Sequence, residues 1–115
     1  DFTTKTTEKI AYKVLQNYNP TMVICATDNI ALGVLKAMQS LGKMVKDDIS
    51  LSGFGGYDIS EIITPSLTTI KFHNEEVGNI AANSIISMIE GKEIPDLQTI
   101  GFDLIKGNSI KKIKN

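Results

Sequence analysis

The stretch ISLSGFGGYDISEIITPSLTTIKF, residues 49–72, decides the fold that this sequence predicts. Ile49, Leu51 and then Phe54 predict a buried strand over residues 49–54, which opens onto glycines at 53, 55 and 56. After a break at Pro65, Leu67 to Phe72 predicts a second strand. Glycines past the carboxyl end of a strand let the backbone turn sharply and approach a ligand closely, and open α/β sheets bind small molecules there. The stretch therefore predicts a binding site at the glycine turn.

The residues before this stretch predict a strand flanked by two helices. Apolar residues at helical spacing indicate a helix over residues 4–17, which Pro20 stops. Met22 to Ala26 is short and apolar throughout, as in a buried parallel strand. A second helix begins where Thr27 or Asp28 can cap it and ends at Gly42. A strand, a helix and a second strand in this order predict a right-handed crossover and a parallel sheet.

Beyond residue 72 the sequence predicts a third long helix, Glu75 to Glu90, and a last β-rich stretch, Leu97 to Ile105. Three substantial helices are too few to cover both faces of about four parallel strands. We therefore expect an α/β fold whose parallel sheet is incomplete, as if the first half of the domain were missing.

The composition narrows the class of protein. The 115 residues form at most one domain with a formal net charge of -1, and none of the 12 basic residues is an arginine, so the basic surface of a nucleic-acid binder is not expected. The apolar runs are much shorter than the ~18 residues of a membrane helix, which predicts no contact with a membrane. A lone Cys25 excludes an internal disulfide and indicates a reducing compartment, hence a cytoplasmic location.

Catalytic and metal-binding patterns are poor. The sequence has no nucleophile elbow and no phosphate-binding loop, and its only histidine, His73, follows a predicted strand. A solvated or helix-capping role for His73 is favoured over that of a catalytic base. Gly53 to Gly56 lacks the spacing of a dinucleotide-binding turn. We expect no enzyme activity, no cofactor and no metal.

Three acidic residues near the predicted strand ends have different predicted roles. Asp28 is most simply a helix N-cap, and Glu61 is a surface charge on a short helix. Asp58 follows the glycine turn next to Tyr57, and an aromatic ring beside a carboxylate can stack on a sugar and accept hydrogen bonds from its hydroxyls. A purely structural role for Asp58 in the turn is equally open.

Three motifs in order resemble the lactose-repressor/galactose-repressor (LacI/GalR) family. They are PTMVICATDNIALGVLKAMQSLG (20–42), DDISLSGFGGYD (47–58) and TPSLTTIKF (64–72). The similarity extends from about Phe2 to Ser109. The Gly-Phe-Gly-Gly-Tyr variant most resembles sucrose operon repressors of Gram-positive bacteria.

The resemblance implies a periplasmic-binding-protein-like (type I) core with a sugar or sugar phosphate between two subdomains, and an N-terminal helix-turn-helix that reads operator DNA as a homodimer. On this likeness the chain holds the last part of the core, without the DNA-binding head and most of the N-terminal subdomain. The chain would leave its subdomain near Lys71-Phe72 and return near Phe102. Residues 75–101 would then belong to the missing subdomain, and the isolated chain should self-associate through the helix 75–90.

The resemblance also implies the effector contacts, with departures. Thr27 replaces a common asparagine, and Gly55 replaces an aspartate, for which Asp58 could substitute. Gly107 replaces a common arginine. The expected effector-binding residues are Thr27, Asp28, Gly55, Tyr57, Asp58, Phe72 and Asn74. The expected dimer contacts are Leu32, Ile59, Ile62 and Ile63, although these isoleucines could instead fill the core.

The sequence thus predicts the effector-binding and dimerisation region of a cytoplasmic, sugar-responsive repressor. The main alternative is a periplasmic or lipoprotein sugar-binding protein of a transport system, which shares the fold and would carry an export signal. A small α/β enzyme using His73 and Asp58 is a third, weakly supported class.

Overall fold

The computed structural model describes residues 3–112 and divides the chain into two compact units. The first unit holds the chain up to Lys71 together with the segment from Leu104 onward, and the second unit is Phe72–Asp103. The elements in chain order are α1 (Thr4–Tyr18), β1 (Met22–Ile24), α2 (Asp28–Ser40), β2 (Ser50–Ser52), α3 (Ile59–Ile62), β3 (Thr69–Phe72), α4 (Asn74–Ile89) and β4 (Phe102–Ile105).

The parallel arrangement predicted for the strands of the first unit is confirmed. Strands β1 and β2 pair in parallel, with Val23 opposite Leu51. Parallel bridges then join Ser52 to Thr68 and Gly55 to Lys71, which places β3 and the residue before it beside the end of β2 and the turn that follows. Strand β3 in turn pairs with β4.

The predicted strands are longer than those observed. Residues 97–101 form no strand, and β4 begins only at Phe102. Gly101 lowers the strand propensity of this segment. The side-chain Nε2 of Gln98 in this segment donates a 2.9 Å hydrogen bond to Ser84 Oγ of α4.

The core of the first unit lies between its helices and β1, β2 and the start of β3. Helix α1 packs against α2. Gly33 makes the close approach at the start of α1 possible, because a Cβ at residue 33 would lie 2.6 Å from Thr7 Cβ and 2.9 Å from the Thr4 carbonyl oxygen. The buried apolar residues are Ala11, Leu15, Cys25, Ala31, Val34, Leu35, Ala37, Met38, Ile49, Leu51 and Leu67.

The beginning of α2 corrects one sequence-based interpretation. Thr27 has extended backbone, and its hydroxyl accepts a 3.2 Å hydrogen bond from the N–H of Ile30, so Thr27 is the N-cap. The alternative that Asp28 caps the helix is wrong, because Asp28 is already the first helical residue. Its side chain is completely buried and bonds elsewhere.

The segment after β4 is tied to the parallel strands by Ser109. Its hydroxyl donates a 2.6 Å hydrogen bond to Leu51 O and accepts a 2.8 Å bond from the N–H of Thr68. The Ser109 side chain is fully buried, so both of its bonds form away from competing water. This one hydroxyl therefore joins β2 to the segment leading into β3.

The second unit differs from the first in the burial of its long helix. None of the sixteen residues of α4, all of which the structure describes, is buried. Most of its large apolar side chains are exposed to solvent, with Ile89 at 81%, and Ile80 is half-buried. The other exposed apolar side chains of α4 are Val77, Ile85, Ile86 and Met88.

Two mid-helix glycines allow a matched test of the helix contact. We expect Gly33→Ala to lower the free energy of unfolding by about 1–2 kcal/mol, because overpacking against Thr7 and Thr4 outweighs the better helix propensity of alanine. Gly78→Ala in α4, where a Cβ meets nothing within 4 Å, should be neutral or stabilising by up to ~1 kcal/mol.

Urea unfolding followed by circular dichroism measures both changes. Equal effects of the two substitutions would contradict the close approach of α1 and α2 at Gly33.

Candidate binding site

The structure brings several of the predicted site residues of the first unit to one edge of the parallel strands. Thr27 follows β1, and Tyr57 follows β2. The N–H of Asp28 donates a 3.1 Å hydrogen bond to the carbonyl of Phe54, and Asp28 Oδ2 accepts a 2.8 Å bond from the N–H of Tyr57. Thr27 and Tyr57 are therefore held near each other, at the edge where open α/β sheets bind small molecules.

The turn after β2 depends on two glycines. Gly55 has φ 125° and Gly56 has φ 67°, both in the region that favours glycine. A Cβ at residue 55 would lie 2.7 Å from Cε2 of Tyr57, so the tyrosine ring covers Gly55. A Cβ at residue 56 would lie 2.5 Å from Lys71 Cα. The turn is thus closed on one side by Lys71, and the ring of Tyr57 takes the place of a side chain at residue 55.

The side chains at this edge offer an aromatic surface and hydrogen-bonding groups. Tyr57 is 49% exposed, Asp58 is exposed, and Thr27 is half-buried. Asp58 precedes α3, and its side chain makes no capping hydrogen bond there. A half-exposed ring beside a carboxylate and a hydroxyl can stack on an apolar face of a ligand and bind its hydroxyl groups.

The side chain of Asp28 makes its hydrogen bonds to other residues of the protein. Its Oδ2 accepts from Tyr57, as described above, and its Oδ1 accepts a 2.6 Å hydrogen bond from the hydroxyl of Thr69. The side chain has no exposed surface. Its assignment to effector binding stays a prediction.

Phe72 and Asn74 belong to the second unit. Phe72 ends β3 with 37% of its surface exposed, and Asn74 is the exposed first residue of α4. Their assignment to effector binding also stays a prediction.

The four predicted dimer contacts lie on α2 and around α3, two helices that contact each other. Leu32 and Ile63 are partly buried against the core, and Ile59 is also partly buried. Ile62 is 73% exposed. Their role in a dimer stays a prediction. Of the four side chains, that of Ile62 has the largest exposed fraction.

Cys25 is held in its thiol form. Burial, and to a lesser extent the negative charge of Asp28, raise the pKa of Cys25 to about 11. The thiol is therefore neutral at pH 7 and packs as a small apolar side chain. Among the described residues, no group of three or more His, Cys, Asp or Glu side chains is placed to hold a metal ion, and no helix is long and apolar enough to cross a membrane.

The sequence did not reveal the contacts of His73 in the second unit. His73 is the N-cap residue of α4, but its ring makes no capping bond. Its Nε2 lies 2.9 Å from Asp103 Oδ2, and its Nδ1 lies 3.3 Å from Glu76 Oε2. The hydrogen bonds to Asp103 and then Glu76 raise the pKa of His73. Glu76, three residues along the helix, could have been anticipated, whereas Asp103 is thirty residues away and could not.

The chain matches a known family of domains. A family model described as a periplasmic binding protein-like domain matches residues 2–110, and the chain belongs to this family. Within it the chain is similar to the effector-binding domain of LacI/GalR regulators.

Curated relatives are transcriptional regulators. The chain is 35% identical over 89 residues to the HTH-type transcriptional regulator GntR of Escherichia coli strain K12, an alignment that covers 76% of this chain and 27% of that protein. It is 27% identical over 93 residues to a lactose operon repressor of Rhizobium radiobacter, covering 81% and 82% of the two chains. The chain spans about a quarter of the length of GntR.

Solved structures give the same result. The dimeric Lac repressor bound to operator and the anti-inducer ONPF matches with a TM-score of 0.90 and 25% identity, over 97% of this chain and 40% of that one. A LacI family regulator from Arthrobacter sp. FB24 in complex with lactose matches with a TM-score of 0.83 and 26% identity, over 93% and 41%.

The contacts of His73 predict a pH dependence. Because its pKa is raised above the ordinary 6.5, the ion pairs stabilise the second unit fully below pH 6.5, and this stabilisation is lost as the pH rises through the folded-state pKa. The 115-residue chain has one histidine, so NMR of the imidazole protons follows its titration directly.

Substitutions at the two carboxylates provide the control. Asp103→Asn should lower the pKa of His73 more than Glu76→Gln, because the bond to Asp103 is the larger cause. A titration midpoint at the ordinary value in the unmodified chain would contradict these contacts.

Proposed function

We propose that this chain is the C-terminal part of the effector-binding and dimerisation region of a bacterial LacI-type repressor that controls carbohydrate-utilisation genes. The observation that supports this most is the meeting of Thr27, Gly55 and Tyr57 at the carboxyl ends of β1 and β2, on a fold that matches the Lac repressor with a TM-score of 0.90. The relatives named above are regulators, which supports a repressor and no enzyme activity.

The proposed effector is a sugar or sugar phosphate. The ring of Tyr57 stacks on the C–H face of the sugar, while the hydroxyl of Thr27 and the carboxylate of Asp58 bind its hydroxyl groups. Gly55 supplies only backbone, and the tyrosine ring lies over it. Sucrose is the first candidate, from the Gly-Phe-Gly-Gly-Tyr turn. Phe72 and Asn74 are further proposed contacts.

Residues 75–101 are proposed to belong, in the intact protein, to the other subdomain of the effector-binding core. The support is that α4 carries exposed isoleucine, valine and methionine side chains and has no buried residue. Single exposed apolar residues are ordinary, but a whole helix without a buried residue indicates that further chain covers it. Without that cover the chain is expected to self-associate.

In the intact repressor the mechanism is allosteric. The sugar binds more tightly to one relative orientation of the two subdomains, and this changes the spacing of the two DNA-binding heads of a homodimer. Operator DNA is contacted only by the N-terminal helix-turn-helix, in the cytoplasm.

The alternative, a periplasmic or lipoprotein sugar-binding protein for transport, is separated from the repressor by the sequence upstream of Asp1. A helix-turn-helix there supports the repressor, and an export signal would contradict it.

A sugar-binding measurement tests the role of Tyr57. In the protein that carries this chain, we expect Tyr57→Ala to raise the dissociation constant for sucrose about two- to tenfold, since an aromatic contact contributes ~0.5–1.5 kcal/mol. Tyr57→Phe keeps the stacking ring and should have the smaller effect.

Calorimetric titrations with sucrose, lactose and sucrose phosphate provide the measurement, and Tyr12→Ala on α1 is the control. Equal losses at Tyr12 and Tyr57 would contradict the site, and no binding of any of the three compounds would contradict the proposed effector.

A second test concerns the dimer. Ile62→Ser should weaken dimerisation at least about tenfold, because burying an isoleucine is worth roughly 1.5–3 kcal/mol and a two-fold interface uses each residue twice. Tyr18→Ser, which removes a 78% exposed apolar side chain at the end of α1, should leave dimerisation unchanged.

Sedimentation equilibrium of the protein that carries this chain measures both dissociation constants. A monomeric unmodified protein, or equal effects of the two substitutions, would contradict an interface at α3.

A further inference from the structure

The carboxylate of Asp28 is the buried charge of the first unit. Among the described residues with fully buried side chains, Asp28 is the only one that can carry a charge, and none of its surface is exposed. A carboxylate removed from water is costly unless donors satisfy its oxygens. The unit is therefore stable only while hydrogen-bond donors stay bonded to the oxygens of Asp28.

Two donors come from different parts of the chain. The N–H of Tyr57 lies 2.8 Å from Oδ2, and the hydroxyl of Thr69 lies 2.6 Å from Oδ1. The N–H of Asp28 itself bonds to the carbonyl of Phe54. The start of α2, the turn after β2 and strand β3 thus meet at one carboxylate.

The neighbouring backbone is shaped around this group. A Cβ at residue 53 would lie 2.1 Å from Asp28 Oδ1, so only a glycine at this position leaves room for the carboxylate. On its other side the turn is fixed to the chain around β3, since the N–H of Gly53 bonds to Thr68 O at 3.0 Å and the N–H of Gly55 bonds to Ile70 O at 2.8 Å. The backbone of Tyr57 is therefore anchored while its ring stays half-exposed.

We propose that Asp28 is a positioning residue: its carboxylate fixes the turn that presents Tyr57 and joins that turn to Thr69 on β3. This inference rests on the proposed sugar site, because it assigns Asp28 a place behind the ligand-contacting residues instead of among them. Strand β3 leads from Lys71 into the second unit at Phe72, so the carboxylate links the sugar-contacting turn to a strand along which the chain leaves the first unit.

Side-chain chemistry gives the test a graded set of variants. Asp28→Ala removes both acceptors. Asp28→Asn keeps one acceptor oxygen for the N–H of Tyr57, and its NH₂ can donate to the hydroxyl of Thr69, which can also accept. Thr69→Val removes only the link to β3. Ser109→Ala is the matched control. Ser109 also has a fully buried side chain, but its hydroxyl joins Leu51 of β2 to Thr68, just before β3, and does not bond to the turn.

Amide hydrogen exchange by NMR reports on the turn without a ligand. Relative to the amide of Cys25, whose N–H bonds to Ser52 O, protection of the Tyr57 amide should fall at least about tenfold in Asp28→Ala, be largely restored in Asp28→Asn, and be unchanged in Ser109→Ala. An unprotected Tyr57 amide in the unmodified chain, or equal losses in Asp28→Ala and Ser109→Ala, would overturn the proposal.

Sugar binding separates positioning from stability. At a temperature where every variant is folded, the dissociation constant for sucrose, lactose or sucrose phosphate should rise about tenfold in Asp28→Ala and less in Thr69→Val, while Ser109→Ala leaves it unchanged. If one of these compounds binds with the same affinity in Asp28→Ala, the proposal is overturned. If none of the three binds the unmodified protein, the proposed effector fails, and the exchange measurement still decides the role of Asp28.

Discussion

The buried carboxylate of Asp28 ties together three parts of the first unit: the start of α2, the turn after β2 and strand β3. Because a charge without water must be matched by donors, the N–H of Tyr57 and the hydroxyl of Thr69 are held within 2.8 Å and 2.6 Å of its oxygens. These two bonds join segments 29 and 41 residues away in the chain. The same contacts require a glycine at residue 53 and leave the ring of Tyr57 half-exposed at the strand ends.

The apolar side chains of the two units are buried to very different extents. In the first unit they form a core between α1, α2 and the parallel strands, and close contact at Gly33 lets the two helices pack. In the second unit, by contrast, α4 has no buried residue. Hydrophobic burial is the main favourable term in folding, so a helix of this kind gains little stability from its own unit. This difference fits a chain that spans about a quarter of the length of regulators such as GntR.

Much of the fold could be predicted from local pattern, and part of the site followed from it. Helical periodicity placed α1, α2 and α4 within about one residue of their observed bounds. The parallel order of β1 and β2 then predicted that Thr27 and Tyr57 would lie at one edge, because parallel strands end on the same side. The predicted strands were too long. A strand ends where its hydrogen bonds to the neighbouring strand end, and a run of apolar residues does not indicate that position.

The sequence by itself determined the class of fold, the family resemblance and the glycine turn, because periodicity, backbone freedom and motif spacing are properties of neighbouring residues. Only the tertiary structure decided what the polar groups do. It turned Asp28 inward to Thr69 and paired His73 with Asp103, whereas Thr27, the cap of α2, is one of the two residues that the sequence already offered. The two long-range contacts depend on which donors and acceptors the folded chain brings together, and residues far apart in sequence come within hydrogen-bond distance only on folding.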